Sequence, residues 1–246
     1  MSSNDTGECR LALVGYGRMG HEIERLAPER GFRITARHDS EHPLGAEPAA
    51  GFDVAIEFTH PDTVLANIER LLRWGAPVVV GTTGWLDHLP HVESLVERYQ
   101  GRLIHASNFS IGVNIFFKLL REGAALFDAQ EMYDAAVHEI HHTRKADAPS
   151  GTALTAAGIL LDGLRRKTAA VSGAPHGRIA ADALHVTSQR LGSTIGTHIV
   201  TFDSEADTVE IVHRAKNRSG FALGALMAAR WIADRDPGLY RFEDLF

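Results

Sequence analysis

The chain has 246 residues, 44% hydrophobic and 23% charged, enough for one large domain or two smaller ones with a sizeable core. A net charge of −6 argues against a nucleic-acid partner, whose phosphates call for a basic surface. The single cysteine, Cys9, excludes an intramolecular disulfide and fits a reducing compartment. No apolar run approaches the roughly 20 residues of a membrane helix, so the expectation is a cytoplasmic chain with no targeting segment and no membrane partner.

Residues 1–8 read as a disordered polar tail. Arg10–Val14 is an apolar run ending in glycine and reads as a buried strand, followed by a helical stretch to about Arg30 and a second strand at Arg33–His38. Residues 40–52, rich in Pro, Gly and Ala, read as loop. Strands at Asp53–Phe58, Pro77–Val80 and Arg102–Ala106 alternate with helices at Pro61–Trp74 and Leu86–Gln100. That alternation predicts an α/β, Rossmann-like, doubly wound parallel sheet.

The pattern changes near residue 107, a candidate domain boundary. Ile111–Leu126 is a long apolar helix, Tyr133–His142 a strand running into a polar loop, Gly151–Arg166 a helix and 167–182 a loop. Leu184–Leu191, Thr197–Asp203 and Thr208–Arg214, with short turns between them, read as an antiparallel meander. A last helix, Gly220–Ala233, precedes a short tail.

Three places carry chemistry. Gly15-Tyr16-Gly17-Arg18-Met19-Gly20 fits G-x-G-x-x-G between a buried strand and a helix. Its first glycine permits the tight turn, its second lets the backbone approach a pyrophosphate, and its third lets helix and strand pack closely. Asp39 stands 19 residues after Gly20, where an acid bonding the adenosine ribose is expected. A carboxylate there repels a 2′-phosphate, so NADH is the expected cofactor, with Arg37 and His38 close enough to leave some tolerance of NADPH. Beyond the next strands, Gly81-Thr82-Thr83-Gly84 and Ala106-Ser107-Asn108-Phe109-Ser110 offer backbone and small polar groups to a nicotinamide carboxamide.

The densest chemistry lies in the 14 residues from Glu139 to Thr152, which include His141, His142, Arg144, Lys145 and Asp147. His141 and His142 are adjacent, so on a strand they point to opposite faces and do not chelate one ion, and no metal is expected. Arg144, Lys145 and a histidine supply positive charge for an anionic substrate, and Ser150-Gly151-Thr152 opens a helix whose N–H groups suit a carboxylate. Lys145 or a histidine then serves to deliver a proton as hydride arrives.

Together with Asn108-Phe109-Ser110-Ile111-Gly112-Val113-Asn114, the loop His141-His142-Thr143-Arg144-Lys145-Ala146-Asp147-Ala148-Pro149-Ser150-Gly151-Thr152-Ala153 and the match through Glu210–Ala225, these motifs resemble the 4-hydroxy-tetrahydrodipicolinate (dihydrodipicolinate) reductase family of the diaminopimelate route to lysine. The resemblance implies a dinucleotide domain over 1–107 completed by 219–246, and a substrate and oligomerisation domain over 108–218 whose mixed sheet assembles a homotetramer. It implies NAD(P)H reduction of a cyclic dicarboxylate with loss of water. His141 is then proton donor/acceptor and Lys145 proton donor, with His142, Gly151 and Thr152 on the substrate. Gly15, Tyr16, Gly17, Arg18, Met19, Asp39, Gly81, Thr82, Thr83, Ala106, Ser107, Asn108 and Phe109 contact the cofactor. Two features depart from the family: the glycine turn is one residue shorter than in many members, and Ser40 follows Asp39 where several members carry arginine. A homoserine- or aspartate-type dehydrogenase, or a dinucleotide sensor without activity, would share the turn but has no use for the His141–Thr152 loop.

Overall fold

Short aliphatic runs separated by helices make the first half a layered α/β unit. The computed structural model describes residues 8–47, 51–175, 177–217 and 219–246; the tail expected over 1–8 lies, but for Glu8, outside them, as do parts of the loops expected at 40–52 and 167–182. The chain divides into two units, one running through Ile111 and resuming after Asn217, the other spanning Gly112–Asn217.

In the first unit, strands β1 (Cys9–Val14), β2 (Phe32–His38), β3 (Val54–Glu57), β4 (Val78–Val80) and β5 (Arg102–His105) alternate with helices α1 (Arg18–Leu26), α2 (Pro61–Arg73) and α3 (Leu89–Tyr99). Residues alternate across the sheet because the strand period is two. Leu11, Leu13, Ile56, Val79 and Ile104 pack on one side with Ile23 and Leu26 of α1. Ala12, Val14, Ala55, Val78 and Val80 pack on the other with Ile68 and Leu71 of α2. Strands buried on both faces explain why these runs are apolar throughout rather than alternating. Each large apolar side chain so buried contributes about 1.5–3 kcal/mol.

Two elements correct the sequence reading here. The helical stretch expected to Arg30 ends at Leu26, because Pro28 opens a separate 3-10 turn. The expected C-terminal tail holds a strand, Gly238–Arg241, too short to show periodicity; it adds in parallel to the edge of β5, register Leu239 to Leu103.

In the second unit, α4 (Ile111–Asp128) leads to β6 (Asp134–His141), α5 (Gly151–Gly163), β7 (Ala169–Ser172), β8 (Ala183–Arg190), β9 (Gly196–Asp203) and β10 (Thr208–Ala215). The remaining first-unit elements are α6 (Ser219–Ala233) and β11 (Gly238–Arg241), which give a parallel sheet of order β11-β5-β4-β3-β1-β2. The second sheet is mixed, with order β10-β9-β6-β8-β7. Phe116 and Leu120 of α4 and Ala156 and Leu160 of α5 cover its inner face at Val137, Val186, Val200 and Phe202.

The expected meander is overturned. β9 and β10 form an antiparallel hairpin, but β6 lies between β8 and β9, parallel to the first and antiparallel to the second. Short turns suggested sequential pairing, whereas β6 carries the alternating buried residues Ala135, Val137, Glu139 and His141 that suit a central strand. Strand β7 falls where a loop was expected; its four residues are all exposed at the sheet edge and carry no amphipathic signal.

Candidate functional site

The glycine turn is shaped by contacts no side chain allows. Gly15 sits at φ 101°, and an added Cβ would lie 2.0 Å from the Phe58 carbonyl oxygen. Its N–H donates to the His38 carbonyl at 2.8 Å, tying the turn to the end of β2. An added Cβ at Gly20 would meet the Gly15 carbonyl oxygen at 2.6 Å, so α1 packs directly on the turn. Gly17, the N-cap of α1, has nothing within 4 Å where a Cβ would stand. The helix start is thus open for close approach of an anion, the fit a dinucleotide pyrophosphate needs.

A cavity of about 700 Å³ opens beside this turn, lined among others by Gly15, Tyr16, Gly17, Asp39, Thr59 and Thr63. Asp39 Oδ1 accepts the backbone N–H groups of Glu41 (2.9 Å) and His42 (2.7 Å), which hold its carboxyl below the usual range and fix it at the rim. Arg37 is committed elsewhere. Its guanidinium pairs with Glu24 of α1, whose other carboxylate oxygen accepts the Tyr16 hydroxyl. Burial pushes the His38 imidazole down, keeping it neutral.

The next two loops are braced from beneath. The Thr59 N–H donates to Thr82 Oγ1 at 2.7 Å, and the Trp85 indole N–H to the Thr82 carbonyl at 2.8 Å. Glu57, fully buried at the end of β3, accepts from the Thr59 hydroxyl and from Asn67 Nδ2, while burial raises its carboxyl above the ordinary range. Asn108 Oδ1 accepts the Ser110 N–H at 2.8 Å, shaping the turn after β5. Phe109 is core, its ring 4.8 Å from that of Phe242 and its carbonyl packed against Gly224, where an added Cβ would stand 1.8 Å away. The cavity lining gathers Gly15, Tyr16, Gly17 and Asp39; Met19 packs on the core, Arg18 and Thr83 are exposed, and Gly81, Thr82 and Ala106–Asn108 lie on the adjoining loops.

In the second unit, β6 delivers Glu139 and His141 to one face, and His142, the residue after the strand, is half-buried. Glu139 is wholly inaccessible. Its Oε2 lies 2.6 Å from His141 Nδ1, and its Oε1 accepts the Ser150 N–H at 3.1 Å and Arg190 Nη2 at 3.2 Å. Burial pushes Glu139 up, but hydrogen bonds from Ser150 and Ser188 and the neighbouring His141 outweigh it, leaving the carboxyl below its ordinary range. Burial lowers His141 against the opposing pull of Glu139.

Ser150 caps α5: its Oγ accepts the Ala153 N–H and sits 3.2 Å from His198 Nε2. Among the described residues, no protein acceptor takes the Gly151 or Thr152 N–H groups, and nothing stands within 4 Å where a Gly151 Cβ would be. An open helix start of this kind has the chemistry to receive an anion. Lys145 Nζ is held by both oxygens of Asp147, at 2.7 and 2.9 Å, and Arg144 is exposed.

Sequence reasoning gave no role to Glu139, Arg190 or His198. Register brings them together: His141 stands opposite Arg190 on β8, and Glu139 opposite His198 on β9. The i, i+2 spacing of Glu139 and His141 was the one signal in the sequence. Donor atoms of Glu139, His141 and His198 lie within 4.8 Å of one another, the spacing of a possible ion site. The 2.6 Å Glu139–His141 approach is tighter than the more than 3 Å expected between ligands each about 2.0–2.1 Å from one zinc ion, and the Arg190 cation already occupies the carboxylate. The arrangement suits proton handling better than metal binding.

Comparison with known proteins agrees with this layout. The family models "Dihydrodipicolinate reductase, N-terminus" and "Dihydrodipicolinate reductase, C-terminus" match residues 9–109 and 112–246. The 4-hydroxy-tetrahydrodipicolinate reductase of Christiangramia forsetii is 37% identical over 235 residues, covering 96% of each chain. That of Methanoregula boonei is 36% identical over 245 residues, covering 93% of this chain and 94% of its own. The dipicolinate-bound dihydrodipicolinate reductase of Paenisporosarcina sp. TG-14 aligns with a TM-score of 0.77 at 25% identity, over 97% of this chain and 99% of that one.

Proposed function

The chain belongs to the dihydrodipicolinate reductase family, and from that premise we propose that it reduces 4-hydroxy-tetrahydrodipicolinate to tetrahydrodipicolinate, the step of lysine biosynthesis through diaminopimelate. The observation that carries this reading is the His141–Thr152 loop, which sets proton donors beside a helix start with two free amides. The reaction takes in a hydride and a proton and releases water. A bound nicotinamide dinucleotide supplies the hydride.

The chain's residues divide the remaining work. The open Gly17 edge and the α1 start receive the pyrophosphate, and Asp39 takes the ribose hydroxyls. Gly81, Thr82, Thr83 and the Ala106–Phe109 backbone face the nicotinamide end. A carboxylate at Asp39, with Arg37 held by Glu24, favours NADH over NADPH. The solved relative is described as binding dipicolinate, a flat diacid, which supports two anion-binding anchors here. The Gly151 and Thr152 amides form one; His142 and the cations of the loop form the other. Charge that develops next to the reduced carbon is met by Lys145, the proton donor, and His141, the donor/acceptor. The family's homotetramer and a cytoplasmic location complete the reading.

The test couples the purified protein to condensation of pyruvate with aspartate semialdehyde and follows NADH oxidation. The wild type is expected to consume NADH only when both precursors are present, and not with aspartate semialdehyde or another semialdehyde alone. Lys145→Ala is expected to lower kcat about a hundredfold or more with NADH affinity intact. Near-normal turnover by that variant removes Lys145 from the mechanism. A wild type inert with both NADH and NADPH overturns the assigned reaction.

A further inference from the structure

The two functions assigned to the second unit, proton transfer at His141 and carboxylate binding at the α5 start, are joined by a residue that touches neither ligand. We propose that Glu139, braced by Arg190, is a positioning residue that fixes the His141 tautomer with one carboxylate oxygen and the substrate-binding end of α5 with the other. The inference rests on the reading of His141 and Gly151-Thr152 given above.

The geometry separates the two duties atom by atom. Oε2 lies 2.6 Å from His141 Nδ1, an ion-pair approach without the alignment of a hydrogen bond; the charge of the carboxylate favours the neutral tautomer with its proton on Nδ1 and leaves Nε2 to exchange protons with substrate or water. Gly196 lies beside that free nitrogen; an added Cβ would stand 3.0 Å from Nε2, so the absence of a side chain keeps it approachable. Oε1 accepts the Ser150 N–H at 3.1 Å. Ser150 precedes the two free amides, so this bond sets where they point. Arg190 Nη2 lies 3.2 Å from Oε1, and the same guanidinium donates to the Asp147 carbonyl, pinning the loop between β6 and α5 to the carboxylate. A wholly buried carboxylate is costly unless paired and hydrogen-bonded; here Oε1 takes both donated bonds and Oε2 has the His141 ring as its ion-pair neighbour.

The groups facing His141 come from every neighbouring element. They are Glu139 on its own strand, Arg190 on β8, His198 on β9 with its ring 5.2 Å away, and Lys145 on the following loop. His213 on β10 stacks behind His198 at 6.2 Å. Glu139 is the only acid in this set. Its charge opposes the burial, Lys145 and Arg190 that push the imidazole down.

Glu139→Gln separates the duties. The amide oxygen goes where Ser150 and Arg190 donate, which turns the amide NH2 toward His141 Nδ1. That nitrogen must then accept, the neutral proton moves to Nε2, and the imidazolium is disfavoured. The expected result is a kcat lower by about a hundredfold, and an alkaline limb of kcat shifted about one pH unit to lower pH. KM for the cyclic diacid should stay within about threefold because the Ser150 bond survives. Glu139→Ala breaks both bonds and should also raise that KM about tenfold. NADH affinity, read in the other unit, reports that each variant is folded. Imidazole 15N shifts of His141 read the tautomer without turnover, so they decide the proposal even if the assigned substrate is wrong. A Glu139→Gln protein with the wild-type Nδ1–H tautomer, or with wild-type kcat and pH profile, overturns it. So does a change confined to KM in both variants.

Discussion

The two units build their sites from different materials. In the parallel unit the site is mostly backbone: a helix start, a turn with positive φ, and loops beyond strand ends, shaped by what Gly15, Gly20 and Gly81 lack. In the mixed-sheet unit the site is mostly side chain: a buried acid, three neighbouring histidines and an arginine drawn from four strands. The packed glycines of the backbone site, Gly15 and Gly20, leave no room for an added Cβ. Side-chain sites tolerate an added Cβ at an open helix start but not a changed charge.

Paired glycine substitutions break or sharpen that contrast with the largest effect. Gly15→Ala must move the Phe58 backbone and adopt a left-handed conformation, so it is expected to cost about 3 kcal/mol or more and to abolish measurable NADH binding. Gly151→Ala meets nothing within 4 Å and gains helix propensity, so its melting temperature should match or exceed the wild type while diacid KM rises. Equal melting temperatures for the two variants in a thermal scan would erase the distinction.

The same contrast explains what the sequence made legible. Gly15–Gly20, Asp39 and the Gly81–Gly84 loop each follow directly on a strand (β1, β2 and β4), so a local pattern sufficed to place them. The His141–Thr152 loop was legible for the same reason, being one strand end and one helix start. The partners of His141 were not. Arg190 and His198 reach it only because β6 lies between β8 and β9, and no local pattern encodes that order; short turns argued for the opposite one. Edge strands β7 and β11 escaped notice because four residues at a sheet edge need no alternation of burial. Arg37 looked available to a phosphate because the sequence does not reveal that Glu24, one helix earlier, has claimed it.

Buried imidazoles should also make the mixed-sheet unit acid-sensitive. His198 is pushed down to about 4, first by burial and then by neighbouring His141. Its folded value lies below its unfolded one, so the unfolded chain binds the extra proton first. The stability it contributes is present above about pH 6.5 and is lost as pH falls toward 4. From about pH 7 to about pH 5 the wild type should lose roughly 2 kcal/mol more than His198→Gln, at about 1.4 kcal/mol per unit. Urea melts at the two pH values measure this; parallel losses in both proteins would remove His198 as the cause.

The smallest expected effect tests the backbone-built unit at a charged pair beside its cofactor cavity. Glu24 accepts Arg37 Nε at 3.0 Å and a second guanidinium N–H through the same oxygen, while the Tyr16 hydroxyl holds the other oxygen. A cation so engaged is poorly placed to meet a 2′-phosphate, and Asp39 repels one. Glu24→Gln removes the charge that holds Arg37 but leaves the glycine turn and Asp39 intact. The kcat/KM ratio of NADPH to NADH should therefore rise about fivefold at low salt, and less at high salt, because the pair is partly open to solvent. An unchanged ratio would remove the Glu24–Arg37 pair from the discrimination and leave it to Asp39 and its other neighbours.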